Sequence, residues 1–201
     1  MPPAEPPRAR GSYPKGIARR QEILDRAIEV FAQRGASKTS LRAIAQEVGV
    51  THAALTHYFG SLDELLVAVY RESEQRSDRE EQPAADASPA EMMRFSAEQN
   101  RSIPGLVQLY STLVAAAAEE NHPAAQQFAT ERFARLREEM AARVARLQAQ
   151  QRLRDDLDPS LVAALVIAAS DGLQAQWLLD PTVDHAASLE LLDRLLAAPR
   201  A

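Results

Sequence analysis

Apolar residues recur along most of this chain at helical spacing, and short polar or glycine-bearing gaps separate the periodic stretches. Between Lys15 and Arg34, Leu24, Ala27, Ile28 and Phe31 fall at i, i+3, i+4 and i+7, with Ile17 and Ile23 nearby. This predicts an amphipathic helix stopped by Gly35. A short second helix follows a cap at Thr39 or Ser40; Leu41, Ile44, Ala45 and Val48 repeat the spacing and Gly49 ends it. Thr51 caps a third helix running to about Tyr58, and Gly60 breaks it. Ser61-Leu62-Asp63-Glu64 then reads as a capping box that opens a fourth helix through Leu65, Leu66, Val69 and Tyr70.

The fourth helix passes into a charged run, RESEQRSDREEQ, and then PAADASP, which marks a boundary or loop. Ser88-Pro89-Ala90-Glu91 reopens helix with a capping box and a proline at the first helical position. Pro104, Pro123 and Pro159 each stand where a new helix should begin, the last behind the strong cap Asp158. Residues 123–152 predict a long helix with Phe133, Leu136, Met140, Val144 and Leu147 in one stripe. Leu161 to Leu179 is apolar on more than one face, and 184–198 is a closing amphipathic helix. No internal repeat and no strand pattern occurs. The expected fold is all-α with about nine helices, four in front and five behind. It divides into a basic arm (1–14), a head (15–60) and a helical body (61–201), with helix 61–79 connecting the last two.

Composition narrows the function. The chain is 46% hydrophobic and 25% charged, ordinary for a globular protein with a core, and it has no cysteine, which excludes disulfide and thiol chemistry. The opening MPPAEPPRARGSYPKG lacks the apolar centre of a secretory signal, and the longest uninterrupted apolar stretch, Leu161 to Ala169, is too short to span a bilayer. A cytoplasmic protein without a membrane partner is expected. The net charge of −5 hides an asymmetry: residues 1–70 carry nine Lys and Arg against seven Asp and Glu, and the remainder carries fourteen against twenty-one. Arg8, Arg10, Lys15, Arg19 and Arg20 face only Glu5 in the first twenty residues. A basic beginning on an acidic body suits a polyanion-binding head, although a solvated basic tail would look the same without a motif.

The second and third helices supply that motif. A helix-turn-helix needs a small residue where its helices cross, a turn residue that tolerates positive φ, and apolar residues that lock the crossing angle. Ala45, Gly49 and the set Ile44, Val50 and Leu55 meet these needs. The third helix then presents His52, Ala53, Thr56 and His57 away from the wedge. These side chains are short or carry donors and acceptors, as a helix entering the major groove requires.

These residues resemble the N-terminal domain of the tetracycline-repressor (TetR) family over 16–66. The carrying features are R-x-x-I-L-x-x-A at Arg20 to Ala27, F-x-x-x-G at Phe31 to Gly35, T-S-L-R-x-I-A at Thr39 to Ala45, G-V-T at Gly49 to Thr51, and Y-F-x-S at Tyr58 to Ser61. DGLQAQWLLDP, at Asp171 to Pro181, is similar to the penultimate helix of many members. The resemblance implies a homodimer on a palindromic operator in double-stranded DNA, and a small-molecule effector held in the body. By position it implies DNA contacts from Thr39, Ser40 and Arg42, from Thr51, His52, Ala53 and Ala54, and from Thr56, His57 and Tyr58. Two positions depart from the family pattern: Thr56 stands where many members have tyrosine, and Leu62 where they usually have lysine. Both family residues grip phosphate, so the arm residues Arg8, Arg10 and Lys15 become candidates to replace them.

Effector pockets are mostly apolar with a few placed polar groups. Candidates are Met92, Met93, Phe95, Tyr110, Leu113, Phe128, Phe133, Gln174 and Trp177, and the effector is expected to be small and largely apolar. Leu161, Leu165, Leu173, Leu189, Leu192 and Leu196 exceed what two terminal helices can hide alone and read as shared between core and dimer seam. Gly172 inside a strong helix suggests a close helix approach. Catalysis is not expected. The histidines, at 52, 57, 122 and 185, form no H-E-x-x-H pair, and Asp155, Asp156 and Asp158 before Pro159 read as a capping turn. No phosphate loop, cofactor site or metal site is predicted. An activator or an interaction module without an effector is the other reading of the same helix-turn-helix.

Overall fold

The computed structural model describes residues 13–34, 41–80, 83–103 and 105–199. Among these residues the chain forms nine helices: α1 (Tyr13–Arg34), α2 (Leu41–Val48), α3 (His52–Phe59), α4 (Leu62–Glu80), α5 (Pro89–Ser102), α6 (Leu106–Ala117), α7 (Pro123–Ala149), α8 (Pro159–Leu179) and α9 (His185–Leu196). Helix α1 starts two residues earlier than its periodicity predicts, and α4 runs on as helix through most of the charged stretch. Thr39, Ser40, Arg8 and Arg10 lie outside the described residues.

Local chemistry sets the helix ends. Thr51 caps α3 by accepting from the Ala54 N–H at 3.1 Å. Ser88 and Glu91 complete a reciprocal box at α5, with bonds of 2.9 and 2.6 Å. Asp158 caps α8 through the Ser160 N–H at 2.7 Å, so the aspartate run before Pro159 includes a capping turn. Gly49 adopts φ +74°, and the Val50 N–H returns to the Ala45 carbonyl at 2.9 Å, which closes α2 as a Schellman turn.

Most of the buried hydrophobic residues among those described fall into two cores. The first joins the head to part of the body: Ile23, Leu24 and Ala27 of α1, Ile44 and Ala45 of α2, and Leu55 and Phe59 of α3 pack with α4, with Leu106, Leu109, Tyr110 and Leu113 of α6, and with Ala125 and Phe128 of α7. The second holds Met140, Val144 and Leu147 of α7 against α5, α8 and α9. The 60/61 division read from the sequence is therefore not a break in the core; α4 serves both sides. Helix α7 changes partners along its length, its first half facing the head's core and its second half the body's. Helix α8 is long and apolar enough to cross a membrane by length and composition. In this fold it packs on α5, α6, α7 and α9, and its apolar excess lies in an exposed stripe described below.

Candidate nucleic-acid interface and ligand chamber

The helix-turn-helix is held rigidly from beneath. Ile44 and Leu55 are fully buried and Val50 packs against them, so the wedge fixes α3 on α2. The opposite face is open: Arg42, Thr51, His52, Ala53 and His57 are exposed, and Ala54, Thr56 and Tyr58 are half-buried. The structure thus brings eight of the predicted contact residues onto one end of the head. The Thr56 hydroxyl donates to the His52 carbonyl at 2.9 Å, so only its lone pairs remain for an outside donor. His57 lies edge-on to Tyr58, with ring centres 5.6 Å apart. Leu62, at the family's lysine position, packs against the head's core, which accounts for an apolar residue there. Gly60 has φ +65°, and a Cβ at this position would lie 2.8 Å from the Glu64 carboxylate. The turn between α3 and α4 therefore needs glycine.

Two cavities lie behind the head. A cleft of about 470 Å³ sits where α1 and α3 meet α4 and α7; Arg20, Tyr58, Val67 and Ala124 are among its walls. A chamber of about 690 Å³ opens between α4, α5 and α7, lined by Met92, Met93, Phe95, Leu136 and Met140 on its apolar side. Arg71, Gln75 and Phe128 line both. Between the two cavities, Arg71 Nη2 donates to Glu131 Oε2 at 3.1 Å and Phe128 lies edge-on to Tyr70.

Four of the nine predicted pocket residues, Met92, Met93, Phe95 and Phe128, line this chamber. The other five lie outside its lining. Leu113 is fully buried in the first core, and Phe133 packs against the second. Tyr110 is buried beneath the chamber, stacked on Tyr70, and its hydroxyl donates to Asp171 Oδ2 at 2.9 Å. Burial pushes the Asp171 carboxyl above the usual carboxylate range, against the pull of that bond and of Arg132. Gln174 is buried on the face of α8 that also carries Ser170. Trp177 stacks under Arg101, 5.7 Å from the ring centre.

Sequence reasoning missed Arg132. It is buried on α7, ion-paired with Glu74 and packed over two tyrosine rings at the chamber wall. A signal existed: Ala125, Phe128, Ala129 and Arg132 fall at i, i+3, i+4 and i+7, which sets an arginine in register with a buried stripe.

The leucine set divides. Leu189 and Leu196 are buried in the protomer's own second core, so neither is free to form a seam. Leu173 and Leu192 are partly buried against the same core. Leu161 and Leu165 are 65% and 67% exposed, and the sequence reading overlooked Leu179, Leu191 and Leu195, at 89%, 49% and 61%. On α8 the exposed Leu161, Leu165, Ala168, Gly172, Ala175 and Leu179 follow one helical stripe. A Cβ at Gly172 would meet nothing within 4 Å in the protomer, so no close approach inside the chain explains that glycine.

The family follows from comparison. The model for bacterial regulatory proteins of the tetR family matches residues 23–69, and that for the BetI-type transcriptional repressor C-terminal domain matches residues 93–199. The HTH-type transcriptional repressor Rv1474c of Mycobacterium tuberculosis is 29% identical over 159 residues, covering 79% of this chain and 82% of that protein. The multidrug binding protein EbrR, solved with ethidium, is 29% identical with a TM-score of 0.62, covering 90% of this chain and 99% of its own. A TetR-family regulator from Cytophaga hutchinsonii has the same fold, with a TM-score of 0.73 at 17% identity over 92% of this chain and 98% of its own. The chain belongs to the TetR family of DNA-binding transcriptional regulators.

Proposed function

We propose that this protein is a dimeric repressor that reads a palindromic operator and is released from it by a small molecule bound in the α4–α5–α7 chamber. The observation that carries the reading is the double role of α4. It follows the recognition helix α3 directly, and its side chains Arg71 and Gln75 line both the cleft under the head and the chamber in the body. A molecule filling the chamber therefore presses on the helix that sets the position of α3. The similarity to Rv1474c, a repressor, and to EbrR, which holds ethidium, supports repression and ligand response.

Arg42, Thr51, His52, Ala53, Ala54, Thr56, His57 and Tyr58 form the DNA face, joined by Thr39 and Ser40. His57 can accept or donate to base edges, Thr56 can accept from them, and the α3 N-terminus favours phosphate. The exposed stripe of α8, with Leu191 and Leu195 of α9, is the dimer seam; an apolar row of this length left in water is unusual for a monomer. Gly172 then has a purpose, since it lets two copies of α8 approach closely across the seam. Acting on DNA, the protein works in the cytoplasm and performs no catalysis.

Selection of bound duplexes from a random library tests the reading, with Arg42→Ala and His57→Ala proteins alongside. Enrichment of a palindrome by the native protein, weakened in both variants, is the expected result. A folded dimer that enriches no sequence would overturn it.

A further inference from the structure

The chamber already contains a cation. Arg132 is 8% exposed, and its guanidinium carbon lies 5.3 Å from the Tyr70 ring centre and 5.1 Å from that of Tyr110. Its Nη1 is ion-paired with Glu74, which also lines the chamber. Tyr70 and Tyr110 stack with centres 5.4 Å apart, and Phe128 closes on Tyr70 edge-on. Aromatic faces of this kind receive cations, and here a side chain of the protein occupies them. Glu74, the natural counter-ion for a cationic ligand, is taken as well.

One buried donor on this wall is left over. Arg132 Nε has no hydrogen-bond partner among the described residues. An unpaired buried donor on a charged group is costly, and an acceptor atom placed against it recovers that cost without disturbing the Glu74 pair. Two further arginine–glutamate pairs line the wall and leave it without a net charge. Arg71 and Arg135 pair with Glu131 and Glu139 across contacts whose side chains are all more than half exposed, so these pairs hold their partners weakly. Met92 and Met93 of α5, with Leu136 and Met140 of α7, offer an adaptable apolar surface in the same chamber.

We propose that the chamber takes an amphiphile whose polar end is an uncharged or anionic hydrogen-bond acceptor, bound by Arg132 Nε, and that it discriminates against cationic heads. The proposal rests on the chamber being the effector site. A cationic head would either lie beside a buried like charge or displace Arg132 from Glu74 and both rings, leaving a charge unpaired, and both are unfavourable. The ligand class of EbrR, which holds the cation ethidium, therefore does not carry over to this chain.

The test is calorimetric titration of the full-length protein with three probes of matched chain length: decanoate, methyl octyl ketone and decyltrimethylammonium, each below its aggregation limit. At least one acceptor-headed probe is expected to bind about tenfold more tightly than the ammonium. Arg132→Met, which bares Glu74, is expected to lose that preference and to gain affinity for the ammonium; circular dichroism checks that it folds. The wild-type ranking decides the matter if it does not. Ammonium binding to the native protein as tightly as the better of the two acceptor probes would overturn the proposal and leave the chamber as effector site. A folded Arg132→Met protein that keeps the native ranking would overturn it too. Binding of none of the three would overturn both the proposal and the assignment of the chamber.

Discussion

Phe128 of α7 meets Tyr70 of α4 edge to face, with ring centres 5.4 Å apart and planes inclined at 72°. The contact joins the long helix of the body to the helix that follows the recognition helix, and Phe128 is a wall of both cavities. Replacing Phe128 by leucine keeps most of the volume, and the expected loss of stability is under about 1.5 kcal/mol. Alanine opens a hole between cleft and chamber and should cost about 3–5 kcal/mol. The leucine variant should hold operator DNA as the native protein does but respond less to any molecule that releases it, as fluorescence anisotropy on labelled duplex would show.

The seam gives a prediction with opposite signs in two states. Gly172→Ala should strengthen the isolated α8 by about 1 kcal/mol, because nothing in the protomer resists a Cβ there. If two copies of α8 pack across this glycine, the same change weakens the dimer. Sedimentation equilibrium is expected to show the weakening, and Leu165→Glu should give monomers whose circular dichroism is unchanged. A dimer indifferent to both substitutions would remove the seam from α8.

Leu189 and Leu191, two residues apart on α9, should behave differently. Leu189 is 1% exposed in the second core and Leu191 is 49% exposed. Alanine at 189 is expected to cost about 2–5 kcal/mol of folding stability. Alanine at 191 should change monomer stability by less than about 0.5 kcal/mol and act on association instead. Denaturant unfolding of both variants in the Leu165→Glu background separates the two effects.

His185, 1% exposed at the start of α9, makes folding depend on pH. Burial, followed by the nearby positive charge of Arg101, holds its imidazole below the ordinary value of 6.5, and the Ser170 carbonyl, Glu98 and Asp184 offset only part of this. The unfolded chain then binds the proton more readily. The stability that neutral His185 contributes is fully present above about pH 6.5 and is lost as pH falls from there through the folded value. Equilibrium unfolding should show this loss in the native protein and a flatter profile in His185→Asn.

The part of the molecule legible in the sequence is the part fixed by neighbours along the chain. Gly49, Ala45 and Leu55 announce the helix-turn-helix because its crossing angle and its turn are set within a few residues. The Ser88 box and the Asp158 cap are local for the same reason. The seam and the chamber are not. Helices α8 and α9 are apolar on more than one face, so leucine content cannot tell which face meets α5 and α7; this is why Leu189 and Leu196 were grouped with Leu161 and Leu165. The chamber depends on where Arg132 lies relative to Tyr70 and Tyr110, which are 62 and 22 residues away in sequence. Only its place in the Phe128 stripe hinted at burial.

The central claim is that a dimer reads DNA sequence through α3. The most direct measurement is the affinity of the full-length protein for its enriched palindrome and for a scrambled duplex, each across a range of salt, with His57→Ala beside it. The account predicts one dimer per palindrome and steep salt dependence on both duplexes. It also predicts a margin of at least about a thousandfold for the palindrome, which His57→Ala narrows without changing binding to the scrambled duplex. Equal affinity for the two duplexes, with the same salt dependence in native and variant protein, would mean that the head only holds phosphate, and would contradict the account.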